Sequence, residues 1–110
     1  MNNCNLSGQV IRNAVVRGSN PKVLTFTLEI RQSSMDGDKK ERVVSIPCVI
    51  FNPSEELERA LTTEGKGMLL ELEGRLSSSS FESKGEQRHT CEVVVRPWTL
   101  AIQPAFTTAD

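Results

Sequence analysis

Aromatic and metal-binding residues are scarce in this 110-residue sequence, which has no tyrosine, one tryptophan, four phenylalanines and one histidine. The three cysteines, Cys4, Cys48 and Cys91, are an odd number without a close pair, which argues against a disulfide framework and favours reduced, buried thiols. With His89 alone and no CxxC motif, a zinc site has too few ligands at usable spacing. We therefore expect neither a metal nor another cofactor.

Patterns typical of catalysis are also missing. His89 lies inside a strand-like segment, and no Gly-x-Ser-x-Gly turn or Cys/His arrangement accompanies it. No glycine-rich phosphate loop occurs. Glu71 and Glu73 alternate along one strand face, where a solvated charge is the ordinary role. The sequence predicts a protein that is not an enzyme.

No run of about 18 apolar residues is present, so the sequence predicts no membrane span. The first ten residues, MNNCNLSGQV, lack the basic patch and apolar core of a signal peptide. These two features predict a cytoplasmic protein that makes no membrane contact.

The net charge of −1 creates no overall field that would attract a nucleic acid. Charge is nevertheless unevenly distributed. Residues 12–42 carry seven basic and four acidic side chains, a balance of +3, whereas residues 55–64 carry one basic and four acidic side chains, a balance of −3. This distribution is compatible with one basic face on the folded chain.

Hydrophobic periodicity predicts five strands and one helix. Residues 21–32 alternate cleanly, with Leu24, Phe26 and Leu28 on the same side, as in a strand that has one face in the core. The predicted strands are 6–12, 21–32, 42–51, 67–77 and 88–103, with the helix between the third and the fourth. This order predicts an all-β OB-fold, a five-stranded Greek-key barrel with one short helix between strands 3 and 4. We expect residues 1–103 to form this domain and residues 104–110 to be a short disordered C-terminus.

Local signals predict how the helix and the last strand are built. Asn52 suits the helix N-cap, Pro53 the first helical position, and Glu55 could complete a capping box with Asn52, while Gly65 is placed to end the helix. Pro97 is expected to bend or break the last strand. Alternation with Leu100 and Ile102 then predicts that Trp98 lies in the core or in a subunit interface.

Several segments together resemble bacterial single-stranded DNA-binding proteins over about residues 5–102. They are LSGQVIRNAVVR, VLTFTLEIR, VVSIPCVIFN and, after the helix, LELEGRLSSSSFESKGEQRHTCEVVV. The resemblance includes the tail-less primosomal replication protein N branch. It implies an OB-fold that forms homo-oligomers, dimers or tetramers, and binds single-stranded DNA without sequence preference in replication, repair or recombination.

The resemblance also implies a set of contact residues. Phe81 falls where the family carries an aromatic residue in a hairpin tip, and Phe51 where it carries one at the end of the third strand, so both are expected to stack on bases. Alternation places Arg75 and Phe81 on one strand face. The expected phosphate contacts are Arg12, Arg31, Lys39, Lys40, Arg42, Arg75, Lys84 and Arg88.

A second function stays open at this point. Other positions at which the family has aromatic or basic residues hold Ser45 and Pro47, and Pro47 further predicts a bulge or a local edge in the third strand. An OB-fold that binds replication or primosome proteins, with weak or no DNA binding, is compatible with these losses because a fold does not determine a function.

Overall fold

The computed structural model of the protein describes residues 1–33 and 41–103, without the side chains of Ser33, Glu41, Ser79 and Phe81. The predicted C-terminal segment, 104–110, and the predicted contacts Lys39 and Lys40 lie outside this range. The strands are β1 (Cys4–Val10), β2 (Val15–Arg17), β3 (Val23–Ser33), β4 (Glu41–Phe51), β5 (Leu69–Ser83), β6 (Glu86–Val95) and β7 (Ala101–Gln103). Helix α1 is Glu55–Glu64, and a 3₁₀ turn spans Pro97–Thr99.

Five long strands close into a barrel. Strand β1 pairs antiparallel with both β3 and β5, and β4 joins β6 in parallel, which completes the ring β1–β3–β4–β6–β5. The predicted OB-fold, with its helix between the third and fourth long strands, is confirmed. The sequence pattern missed β2, since three residues are too few to show alternation. Strand β7 lies inside the predicted strand 88–103, which breaks near Pro97 as expected.

The barrel core follows the alternation of β3. Leu24, Phe26 and Leu28 are 0 to 5% exposed, and the register places Leu24 opposite Ile50 and Phe26 opposite Cys48. Burying each large apolar side chain stabilises the fold by about 1.5–3 kcal/mol. The face that the sequence predicted to be buried is therefore the interior of the barrel.

Helix α1 closes one end of the barrel. Its N-cap is Ser54, whose Oγ accepts a hydrogen bond from the Leu57 amide at 3.2 Å, so the predicted start at Asn52, with a capping box to Glu55, is wrong. The reason is that β4 continues to Phe51 and Asn52 then turns the chain with a φ of 51°. Gly65 follows the last helical residue as predicted, and Leu61 is fully buried in the core cluster.

Beyond the barrel, β5 and β6 continue as a two-stranded arm, which we define as residues 77–92. The predicted strands stopped at residue 77 and resumed at residue 88, but the strands pair down to Ser83 opposite Glu86. Lys84 and Gly85 form the connection with φ values of 55° and 79°, the left-handed pair that a tight two-residue hairpin turn requires. The serine run 77–80 is thus part of β5.

Pro47 does not interrupt β4. The β3–β4 register is continuous from Val23 opposite Phe51 to Ser33 opposite Glu41, so of the two predicted alternatives, a bulge or a local edge, the bulge does not occur. The prediction of a local edge is right: in the part of β4 that the structure describes, pairing with β6 involves Cys48 and Val49, and Pro47 is paired with β3 alone.

Candidate nucleic-acid interface

The outer face of the sheet carries a continuous row of paired residues. Val15 lies opposite Thr25, Thr25 opposite Val49, Val49 opposite Val94, and Val94 opposite Arg75. The row crosses β2, β3, β4, β6 and β5 in that order. Val15 is 53% exposed and Arg75 is exposed, whereas Val49 is buried. A ligand that crosses this face would meet mainly apolar and uncharged surface with a cation at one end.

Phe51 stands beside this row. It is two residues beyond Val49 on the same face of β4 and is 44% exposed, because the strand ends there and Asn52 turns away. An aromatic ring half open to solvent is available for stacking. The structure places Phe51 where a base could reach it, and its contact with DNA stays a prediction.

A groove of about 340 Å³ opens next to Phe51. Its lining consists of Phe51, Arg75, Val94, Val95, Arg96, Pro97 and Trp98. The groove therefore combines two aromatic residues, two guanidinium groups and an apolar floor. Rings and cations side by side are what a nucleotide needs, since its base is flat and its phosphate is anionic.

Arg75 owes its position to Gly74. A Cβ at residue 74 would lie 2.5 Å from the Val94 carbonyl oxygen and 2.7 Å from Val93 Cγ1, so only glycine allows β5 and β6 to approach so closely here. The next residue then projects on the outer face opposite Val94. The EGRL segment thus places an exposed arginine at the edge of the groove.

Arg96 is a groove residue that the sequence analysis did not identify. Its Nη1 lies 3.1 Å from Glu73 Oε1 and donates to Asn3 Oδ1 at 2.6 Å, and its backbone amide donates to the Glu73 carbonyl. These bonds fix the guanidinium and partly neutralise it. The arginine directly after the β6 valine run was the available signal.

Trp98 departs from its prediction. It is 80% exposed, so the expectation of core packing is wrong, while a role in a subunit interface is not tested. The cause is the 3₁₀ turn, in which the Thr99 amide donates to the Arg96 carbonyl and the Leu100 amide to the Pro97 carbonyl. The turn breaks the alternation on which the expectation rested. Pro97 was the signal that could have revealed this.

The arm carries another group of predicted contacts. Phe81 lies opposite Arg88 in the register of β5 and β6, and its side chain is outside the described part of the structure. Arg88 is exposed, and so is Lys84 in the turn. The register places Arg88, Phe81 and Arg75 on the same face of the ribbon, in agreement with the alternation.

The remaining predicted cations do not gather at the groove. Arg31 pairs with Val43 and Arg42 with Gln32, so these two arginines lie on opposite faces of the β3–β4 hairpin. The Nε atom of Arg31 also lies 3.4 Å from Oε1 of Glu29. Arg12 is exposed in the loop after β1. Among the cations that the structure describes, Arg75 and Arg96 line the groove.

The thiols differ in their surroundings. Cys48 is buried, and burial raises the pKa of its thiol to about 12. Cys4 is half-buried and Cys91 is exposed, so the expectation that all three are buried is wrong for Cys91. Within residues 1–33 and 41–103, no three metal-binding side chains are grouped as a metal site would require, and no helix is long and apolar enough to cross a membrane.

A closed five-stranded barrel with one helix between its third and fourth long strands defines an OB-fold. The model of the single-strand binding protein family matches residues 1–102. The chain therefore belongs to the single-strand binding protein family, which confirms the resemblance noted in the sequence.

Comparison with solved structures supports the same fold. The chain superimposes on a Plasmodium falciparum SSB, in a complex with single-stranded DNA, with a TM-score of 0.80 and 17% sequence identity. The match covers 94% of this chain and 96% of the Plasmodium chain. A search of curated proteins found no match.

Proposed function

We propose that this protein binds single-stranded DNA without sequence preference and without catalysis, in DNA replication, repair or recombination. The observation that carries the proposal is the position of the groove. In a barrel of the single-strand binding protein family, Phe51 and Arg75 line one groove on the outer face. Family membership favours this reading over an OB-fold that binds only other proteins.

Base stacking supplies the part of the affinity that does not depend on charge. Every base has a π-face, so stacking tolerates any sequence and contributes about 1–3 kcal/mol per base. We propose Phe51 on the barrel and Phe81 on the arm as the two stacking residues. The register of β5 supports one continuous track, because it places Phe81 on the same ribbon face as Arg75.

Phosphate contacts supply the part of the affinity that depends on salt. Arg75 at the groove and Lys84 and Arg88 on the arm lie along this track, and we propose that they neutralise phosphates. Arg12, Arg31 and Arg42 on the barrel, with Lys39 and Lys40, are proposed as further contacts. Because Arg31 and Arg42 lie on opposite faces, a single strand that touches both must pass around the edge of the β3–β4 hairpin.

The acidic helix α1 lies outside the proposed path of the DNA strand. Glu55, Glu56 and Glu58 lie in the first turn of α1, and Lys22 Nζ is 3.1 Å from Glu58 Oε1. These carboxylates would repel phosphates, so we propose that the strand follows the sheet and the arm and avoids the outer face of α1.

The small size of the domain favours oligomerisation. One barrel with two proposed stacking residues holds few bases, and linked copies raise the overall affinity without new contacts. We therefore propose a homo-oligomer, dimer or tetramer, that acts in the cytoplasm beside replication or primosome proteins. Sedimentation of the free protein would distinguish the dimer from the tetramer.

Binding is tested with a fluorescently labelled oligothymidine of about 35 nucleotides, followed by anisotropy at about 20 and 200 mM salt beside a duplex control. We expect preference for the single strand, weaker binding at the higher salt, and a Kd raised about 5- to 100-fold in Phe51→Ala or Phe81→Ala. Leu76→Ala is the matched control, because Leu76 is 50% exposed on the opposite face of β5. No binding at low salt would refute the proposal.

A further inference from the structure

Trp98 is an aromatic residue without a structural role in the barrel. Its side chain is 80% exposed. The exposed large apolar side chains in the described strands reach at most 53%. A single exposed apolar residue is ordinary, but Trp98 lines one groove with Phe51, which is also exposed, and apolar surface gathered into a patch marks a binding surface. The residues around the exposed indole indicate which ligand it contacts.

The backbone that carries Trp98 is held firmly on both sides. Thr99 Oγ1 accepts a hydrogen bond from the Glu73 amide at 2.9 Å and donates to the Arg96 carbonyl at 2.7 Å. Pro97 restricts φ on the other side. The turn is thus fastened to β5, so the backbone at Trp98 is held in place. A backbone that is already ordered loses little further entropy when a ligand binds beside it.

The surroundings of Trp98 match a nucleotide. Trp98 and Phe51 line the same groove, together with the guanidinium groups of Arg75 and Arg96. Arg96 is fixed by Glu73 and Asn3, and Arg75 is exposed at the rim. Aromatic surface accepts the flat base, and a guanidinium can pair with a phosphate or stack on a base plane.

We infer that Trp98 is a third base-stacking residue and that it forms, with Phe51, a cleft that holds a nucleobase of the bound strand while Arg75 meets the neighbouring phosphate. The inference rests on the proposed function. It extends the track from the outer face of the sheet to the turn after β6, a place that neither the sequence pattern nor the family comparison assigns.

A protein partner is the competing occupant. Trp98 also borders a second groove of about 530 Å³ against α1, lined by Leu57, Ala60, Leu100 and Ile102 among others. Glu56 lies in that lining, and its carboxylate disfavours a phosphate there. The two grooves can be separated by substitution, because Ile102 lines the second and Phe51 the first.

Intrinsic fluorescence provides a direct test, since Trp98 is the single tryptophan and the chain has no tyrosine. The experiment titrates unlabelled oligothymidine into the full chain and follows Trp98 emission, with anisotropy of the labelled strand measured in parallel. We expect quenching that saturates at the stoichiometry given by anisotropy. Trp98→Ala should raise Kd about 5- to 100-fold, whereas Trp98→Phe should retain most of the affinity and Ile102→Ala all of it.

Two results would overturn the inference while leaving the proposed function intact. Tight binding with unchanged Trp98 emission and an unaltered Kd in Trp98→Ala would show that DNA passes elsewhere. An equal loss in Ile102→Ala would point to the groove against α1. Absence of anisotropy change in the wild type would remove the proposed function and this inference together. Thermal melting of each variant checks that the fold is intact.

Discussion

Arg75 offers a test in which salt dependence, rather than affinity alone, reports the role of one side chain. It is exposed at the rim of the groove, and within the described residues it has no ion-pair partner. Each phosphate neutralised on a single strand contributes about −0.7 to the slope of log K against log salt. If Arg75 neutralises one phosphate, Arg75→Gln should reduce the slope by about 0.7.

The slope can be converted into a measurable ratio. Between about 20 and 200 mM salt, a change of 0.7 in the slope means that the affinity advantage of the wild type over Arg75→Gln shrinks about fivefold. Arg96→Gln should change the slope less, because Arg96 is already paired with Glu73 at 3.1 Å. Arg59→Gln is the matched control, since Arg59 is exposed on the acidic helix α1.

The assay is anisotropy of labelled oligothymidine at four or more salt concentrations for the wild type and the three variants. Equal slopes for Arg75→Gln, Arg59→Gln and the wild type, with binding intact in all of them, would refute the assignment of Arg75 to a phosphate. A slope change in Arg59→Gln alone would place the strand on the helix.

Three further predictions concern the barrel and its thiols. Leu61→Ala should lower the free energy of unfolding by about 2–5 kcal/mol, because Leu61 is fully buried where α1 closes the barrel, and urea denaturation should show a smaller loss for the half-buried Leu57→Ala. A maleimide at neutral pH should label the exposed Cys91 in the folded protein and Cys48 only after unfolding. Since burial raises the pKa of Cys48 from 9.0 to about 12, the unfolded thiol ionises first, and the free energy of unfolding should fall as the pH rises above 9. Rapid labelling of Cys48 in the folded chain, or stability unchanged by Leu61→Ala, would contradict this view of the core.

The regular parts of the fold were predictable because each has a periodic signal. Leu24, Phe26 and Leu28 recur at every second position of a strand with one buried face. Gly65 follows the last residue of the helix, the position at which glycine commonly ends a helix. The helix start was not predictable from the capping residues alone. Asn52 and Ser54 both suit an N-cap, and the choice depends on how far β4 continues through its pairing with β3.

The site was only partly predictable for a related reason. Alternation correctly placed Arg75 on the outer face, but it failed at Trp98, where Pro97 starts a turn and the strand period no longer applies. Alternation within one strand also says nothing about partners across the sheet. Arg31 and Arg42 were both predicted to contact phosphates, and the register, which pairs Arg31 with Val43 and Arg42 with Gln32, places them on opposite faces.

The most direct test of the central claim is to map the DNA contacts on the barrel by amide chemical shifts during titration with oligothymidine. The track proposed here predicts shifts concentrated at Phe51, Val94 and Arg75 and along the arm (77–92), with smaller changes in α1 (Glu55–Glu64). Shifts confined to α1, with the outer face of the sheet unchanged, would contradict it.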